Sequence, residues 1–205
     1  MTRLLLATRN AKKLEELRRI LAAEGIEGLE VVGLVDVDEF EEAPEIGATF
    51  EENALAKARD AAEATGLPSI ADDSGLSVDA LNGMPGVLSA RWSGRHGDDQ
   101  ANLELVLAQL ADVPDERRGA GFVCAAALVD PDGDEVVVHG DWGGTLARKP
   151  SGTNGFGYDP IFVPDDEERT SAELDPAEKD ALSHRGIALR ALLPHLRELA
   201  DEVRR

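Results

Sequence analysis

The sequence predicts an α/β fold built around a long mixed β-sheet. Three observations carry that expectation. Short apolar segments alternate with segments of helical period, a turn-joined pair of strands sits mid-chain, and no apolar run approaches the ~20 residues of a membrane span. The 205 residues can bury a substantial core, as one large domain or two small lobes.

Arg3 to Thr8 is short, apolar and bounded by polar residues, which marks a strand. Asn10 then caps a helix running through Lys13, Leu14, Leu17, Ile20 and Leu21, with Gly25 as its stop. Leu29 to Leu34 reads as a second strand, and Asp36 to Glu45 as acidic and irregular. Thr49-Phe50-Glu51-Glu52 has the capping-box pattern and opens an Ala-rich helix that closes at Gly66-Leu67-Pro68. Ser69-Ile70-Ala71 is a short strand leading into Asp72-Asp73, and Asn82 to Gly86 is turn chemistry. Asn102 to Leu110 forms a helix with Leu103, Val106, Leu107 and Leu110 on one face. Two strands, Gly121–Val129 and Glu135–Gly140, are joined as a hairpin by Pro131 to Asp134, and Trp142 to Leu146 extends the sheet. A Gly-rich loop from Lys149 to Pro160 follows, and Arg185 to Val203 is a last helix, kinked by Pro194. Repeats, low-complexity tracts and linkers are missing, so residues 1–205 are expected to act as a single domain.

Charge and cysteine usage narrow the function classes. With 21 basic against 41 acidic residues the net charge is −20, which repels polymeric nucleic acid and anionic membrane. That repulsion fades beyond a Debye length of ~8 Å at physiological salt, so a local basic pocket or a bound metal can still hold a small polyanion. The single cysteine, Cys124, excludes an internal disulfide framework and packs as a small apolar residue in a strand. Cysteine and histidine are too few and scattered for a thiolate zinc site. The apolar N-terminal stretch is too short for a signal peptide, and the cytoplasm is the expected compartment.

Four segments carry chemistry. In Thr8-Arg9-Asn10-Ala11-Lys12-Lys13 a strand runs into a helix, whose free N–H groups and dipole favour a phosphate. Lys12 and Lys13 oppose that dipole, as cations serving an anion would; the glycines of a Walker A loop are missing. In Asp72-Asp73-Ser74-Gly75 two adjacent carboxylates need a cation or solvent. On a strand they point to opposite sides, so one of them faces the site. Such oxygens suit Mg²⁺, or an attacking water's proton; the alternative is an Asx-turn that merely caps backbone N–H groups. In Gly152 to Pro160, three glycines surround Phe156 and Tyr158, which either stack on a base or anchor the loop; Asp159 either accepts from a base edge or holds the loop. Finally, Lys179 offers a cation, His184 a titratable donor and Arg185 a planar fork, with Ser183 as a helix cap and Arg91 a weaker relative.

In this order the segments resemble the non-canonical purine nucleoside triphosphate pyrophosphatases, the bacterial dITP/XTP pyrophosphatase, HAM1-like or inosine triphosphatase family. The match covers nearly the whole chain: TRNAKKLEE (8–16), GATFEENALAKA (47–58), ADDSGLSVDALNGMPGVLSAR (71–91), GFGYDPIF (155–162) and AELDPAEKDALSHR (172–185). The resemblance implies an elongated, two-lobed α/β fold with a central mixed sheet flanked by helices and a cleft between the lobes. It also implies a homodimer, Mg²⁺ dependence, and cleavage of ITP, dITP or XTP between the α- and β-phosphates. The products are the monophosphate and pyrophosphate, and the role is clearing deaminated purines from the nucleotide pool.

Carried over by residue, Thr8, Arg9, Asn10, Ala11, Lys12 and Lys13 match the phosphate cradle, and Lys57 a lysine reaching the triphosphate. Asp73 matches the proton acceptor and metal ligand, and Ser74 a substrate contact. Phe156, Gly157, Tyr158 and Asp159 match the base-binding loop, with Lys179, His184 and Arg185 around the base. Two positions depart from the pattern: Arg9 replaces a glycine, and the acidic metal helper falls in Glu41-Glu42-Ala43-Pro44-Glu45, where Glu45 is our choice.

The expected mechanism has Mg²⁺ on Asp73 and Glu45, water activated by Asp73 or its neighbour, and Lys13 and Lys57 stabilising pyrophosphate. A 6-oxo purine accepts from Arg185 or backbone N–H groups. Adenine's 6-amino group leaves those donors unpaired, at ~1–3 kcal/mol each. Three rivals are a Maf-like pyrimidine nucleotide pyrophosphatase, a non-catalytic nucleotide sensor and a phosphate-binding structural module. The Ser183-His184-Arg185 segment and the Phe156–Asp159 loop argue against the first, and the presence of Asp73 against the second.

Overall fold

The computed structural model describes residues 1–41 and 44–202; Glu42 and Ala43 of the acidic stretch and Val203 of the expected last helix lie outside the described residues. Six strands, β1 (Thr2–Leu6), β2 (Leu29–Gly33), β3 (Ser69–Val78), β4 (Gly119–Val129), β5 (Glu135–Leu146) and β6 (Phe162–Pro164), form one mixed sheet in the order β2-β1-β3-β4-β5-β6. β1 pairs in parallel with β2 (Leu4 opposite Val31) and with β3 (Leu6 opposite Ile70), while β5 and β6 pair antiparallel (Thr145 opposite Val163). The helices are α1 (Ala11–Ala23), α2 (Phe50–Thr65), α3 (Asp99–Gln109), α4 (Pro176–Leu182) and α5 (His184–Glu202), which keeps Pro194 inside it. None is long and apolar enough to cross a membrane among the described residues.

Caps explain where the helices begin. Asn10 Oδ1 accepts from the Lys12 N–H at 2.9 Å, and Thr49 Oγ1 from the Glu52 N–H at 3.1 Å. The capping box is modified, because the Glu52 carboxylate reaches one residue further back, to the Ala48 N–H at 2.7 Å. Gly66 closes α2 in the left-handed region at φ 65°, a conformation other residues adopt only with strain.

Several boundaries differ from the sequence-based expectation. β3 runs ten residues rather than three, so Asp72-Asp73 lies inside a strand; buried Leu76 and Val78 extend its apolar face beyond the polar tetrapeptide. α3 starts earlier, where Asp98 accepts from the Ala101 N–H at 3.2 Å. β6 and α4 are additional short elements that the apolar pattern does not mark. A reciprocal Asp175–Glu178 box, with Pro176 at the helix start, opens α4.

The chain divides into two compact units. Unit 1 (residues 1–73, 124–140 and 185–205) sandwiches its strands between helices. Leu4, Leu6, Val31, Ile70, Cys124, Ala126 and Leu128 pack with α1 and α5 through Leu17, Ile20, Leu189, Leu192 and Leu196. Their alternates pack on the other face, Ala71, Ala125, Ala127 and Val129 against Ala54, Ala58 and Ala62 of α2, and Leu5 and Val32 with Ala61. Side chains that alternate along a strand thus feed two separate layers. Unit 2 (residues 74–123 and 141–184) has its own core, in which Leu76, Val78, Leu103, Val106, Phe122, Trp142, Tyr158 and Phe162 meet.

Candidate active site

In unit 1 the parallel order β2-β1-β3 makes β1 a switch point: the chain leaves it through α1 to β2 on one side and returns through α2 to β3 on the other. Such sheets bind ligands beyond the carboxyl ends of the strands at that point. Thr8 to Lys13 follows the end of β1, and Asp72-Asp73 comes just after Ile70, the β3 residue that pairs with Leu6. Strand alternation then separates the two carboxylates, Asp72 sharing the Ile70 face with α1 and α5 and Asp73 the Ala71 face with α2.

Asp72 Oδ2 accepts from Lys13 Nζ at 2.8 Å and from Arg185 Nε at 3.1 Å. Arg185 Nη1 lies 3.5 Å from Glu16 Oε2, so a chain of alternating charge runs from half-buried Lys13 to buried Asp72, Arg185 and Glu16. Burial works against the Asp72 charge, but Lys13 and Arg185 outweigh it and hold the carboxyl well below its ordinary range. The same pairing raises Arg185, against the effect of burial.

Asp73 meets α2. Its Oδ2 accepts from Asn53 Nδ2 at 2.9 Å, and its Oδ1 lies 3.6 Å from Lys57 Nζ, which contacts Glu45 Oε1 at 2.5 Å. Burial raises the Asp73 pKa and the nearby Glu45 and Asp72 charges add to it; Lys57 and the Asn53 hydrogen bond offset this only in part. Lys57 is raised, since Asp73 and Glu45 outweigh its burial. Asp73 is therefore the carboxylate with affinity for a proton, and Asp72 the one locked in its charged form.

Unit 2 holds the aromatic loop. Asp159 is 2% exposed, and its Oδ2 accepts from the Phe156 N–H at 2.8 Å and from Lys179 Nζ, while Oδ1 accepts from Ser171 Oγ at 2.8 Å. Asp159 thus holds the loop rather than offering itself to a base edge. Tyr158 is buried and donates its hydroxyl to the Ser89 carbonyl at 2.7 Å, so it anchors. Phe156 is 45% exposed, with Lys179 Nζ 5.6 Å from its ring centroid. The Gly157 N–H donates to Asp99 Oδ2 at 2.9 Å. His184 is buried and stacks on Phe122 with centroids 4.8 Å apart.

Of the residues read from the sequence, the structure brings Lys13, Asp72 and Arg185 together, then Asp73, Lys57 and Glu45, then Phe156, Asp159 and Lys179. Thr8 Oγ1 accepts from the Asn10 N–H at 3.1 Å, shaping the turn into α1, whereas Arg9, Ala11 and Lys12 have exposed side chains and Ser74 is half-buried. Arg9 causes no strain where a glycine was expected, because Asn82 is the only described non-glycine residue with positive φ. The sequence reading missed Glu16 and Asn53. Asn53 stands four residues before Lys57, hence on the same helix face, and that spacing was its signal.

A switch point that sets two lysines against two aspartates is the equipment of a phosphate-handling α/β protein. The sequence model of the Ham1 family matches residues 4–195, and the chain belongs to that family. It is 70% identical to a dITP/XTP pyrophosphatase of Nocardia farcinica over 201 residues, 98% of each chain, and 66% identical to one of Mycobacteroides abscessus over 199 residues, 97% of each. Among solved structures it resembles the nucleoside-triphosphatase / dITP/XTP pyrophosphatase of Mycobacterium abscessus (TM-score 0.77, 66% identity, 96% of this chain and 100% of that one). It also resembles a HAM1 protein of Coxiella burnetii (TM-score 0.85, 44% identity, 97% and 100%).

Proposed function

We propose that this chain hydrolyses XTP, dITP and ITP between the α- and β-phosphates, releasing the monophosphate and pyrophosphate, and so removes deaminated purines from the nucleotide pool. The observation that carries the reading is the division of labour between adjacent aspartates. Asp72 holds Lys13 as a charged pair, while Asp73 stands beside Lys57 and Glu45 with a raised pKa. The dITP/XTP pyrophosphatases that the chain matches at high identity support it.

Mg²⁺ fits these residues. It takes oxygen ligands, typically one or two carboxylates with substrate phosphates and water. Asp73 and Glu45 supply two carboxylates, and the Lys57 ammonium between them marks a spot that demands positive charge. Among the described residues no cluster of three or more His, Cys, Asp or Glu side chains forms, so substrate and water would complete the shell. When bound there, the ion neutralises charge on the phosphates.

The chain's own groups do the rest. Asp73 takes the proton of the attacking water. Lys13 and Lys57, each with donors beyond the one given to its carboxylate, stabilise the pyrophosphate leaving group. The family resemblance, rather than the geometry, assigns the base to the Phe156–Asp159 loop. Within unit 2 that loop offers the exposed Phe156 ring for stacking, and Lys179 beside it is a donor suited to a 6-oxo group, which the 6-amino group of adenine cannot satisfy.

The experiment is a panel of XTP, dITP, ITP, ATP, GTP and dTTP with Mg²⁺. Pyrophosphate release from the first three, far above ATP, is the expected result; equal turnover of ATP would overturn the assignment. Asp73→Asn should lower kcat by at least about 1,000-fold with little change in substrate Kd. Retained activity would remove Asp73 from its role. The family resemblance further supports a cytoplasmic homodimer; light scattering should give twice the mass of one chain, and a single-chain mass would refute the dimer.

A further inference from the structure

Asn53 is 3% exposed, and both ends of its amide are used. Its Oδ1 accepts from the Gly47 N–H at 2.8 Å, and its Nδ2 donates to Asp73 Oδ2 at 2.9 Å. The amide can sit only one way round. Flipped, its NH₂ would face another N–H and its carbonyl a carboxylate, and both contacts would repel. The orientation that suits Gly47 is therefore the one that holds Asp73, with Oδ2 engaged and Oδ1 turned to Lys57. Gly47 lies two residues after Glu45, so one amide ties the segment bearing the second carboxylate to the strand bearing the first.

Gly47 itself supports this reading. It is not among the glycines with positive φ, so its backbone conformation is open to other residues. Space is the constraint instead: a Cβ there would lie 2.6 Å from Asn53 Oδ1 and 2.8 Å from Glu52 Cβ. The glycine leaves room for the amide.

We infer that Asn53 is a positioning residue for the reaction, with Gly47–Asn53–Asp73 forming a tether that fixes the Asp73 carboxylate and its spacing from Glu45. Asn53 touches neither the attacking water nor the phosphates; it acts through Asp73. The inference rests on Asp73 being the proton acceptor of the proposed hydrolysis.

The test compares Asn53→Ala, Gly47→Ala and the double variant by XTP kinetics and by Mn²⁺ binding without nucleotide, followed by electron paramagnetic resonance. Alanine is a good helix former, so Asn53→Ala suits the first turn of α2, and circular dichroism checks the fold. Each single variant should lower kcat by about 10- to 100-fold with KM within about twofold, as expected for a misplaced catalytic group. Each should also weaken Mn²⁺ binding about 10-fold or more. The double variant should lose less than the product of the two single effects, because Asn53→Ala removes the amide that the added methyl displaces and leaves only its contact with Glu52 Cβ. A purely structural role would lower Tm and leave kcat per folded molecule and Mn²⁺ affinity unchanged, and that result overturns the inference. Multiplying effects in the double variant would also overturn it. If the wild type releases no pyrophosphate from XTP, the proposed function falls, and the tether is judged by Mn²⁺ affinity alone. If the wild type neither turns over nor binds Mn²⁺, both fall.

Discussion

At Asp72, burial disfavours the charged carboxylate, yet two cations on one oxygen keep it ionised. Asp72→Asn would leave Lys13 and Arg185 facing a neutral amide inside the protein, at a cost of about 3–5 kcal/mol. The sign with pH follows from the lowered pKa. The stabilisation is present above the ordinary value of 3.8 and is lost as pH falls through the lower folded value. Urea unfolding should therefore separate wild type from Asp72→Asn at pH 7, and the gap should narrow as pH falls below 3.8. Cys124 behaves oppositely. Burial pushes its thiol from 9.0 up to about 12, with the Asp72 charge adding to the effect. The native state thus keeps a proton that the unfolded chain gives up above pH 9.0, and this contribution to stability declines between 9.0 and about 12. Iodoacetamide at pH 9 should label the urea-unfolded chain at Cys124 and leave the folded protein unlabelled; rapid native labelling would contradict the burial.

At the level of elements, the caps were the clearest signals. Asn10 and Thr49 start α1 and α2 as their side-chain chemistry dictates. Thr49→Ala should cost about 1 kcal/mol in urea unfolding, because the Glu52 N–H loses its acceptor. Gly66→Ala should cost about 1–2 kcal/mol, the penalty of a Cβ in the left-handed region, since no neighbouring atom stands within 4 Å to add a clash. The missed elements were short. β6 is three residues long and carries a proline, so it shows no alternation to read. α4 did carry a signal, the Asp175-Pro176-Ala177-Glu178 start, but seven residues show too little apolar period to attract notice. The sequence pattern ends β3 early because Asp72, Asp73 and Ser74 look like a turn; its length comes from Leu76 and Val78, which pack in the core of unit 2. A local pattern does not reveal such tertiary partners.

Across the whole molecule, the parallel β2-β1-β3 arrangement converts sequence neighbours into different tools. One residue of strand phase sends Asp72 to α1 and α5, and Asp73 to α2. The carboxylate pair and the lysines were legible because charges set against an apolar strand segment are costly without partners. Glu16 was not legible, since an acid on an amphipathic helix resembles any solvated polar residue until its neighbours are known; Asn53 offered only its four-residue spacing to Lys57, which many helix residues share. The net charge of −20 fits the same picture, with acids spread over the chain and a few cations held against carboxylates at the site. The central claim is that water attacks the α-phosphorus of a deaminated purine triphosphate. Hydrolysis of XTP in ¹⁸O-water, with the products resolved by ³¹P NMR and mass spectrometry, tests it most directly. The account predicts pyrophosphate and XMP as the first products, with the label in XMP. Label in pyrophosphate, or orthophosphate as the first product, would contradict it.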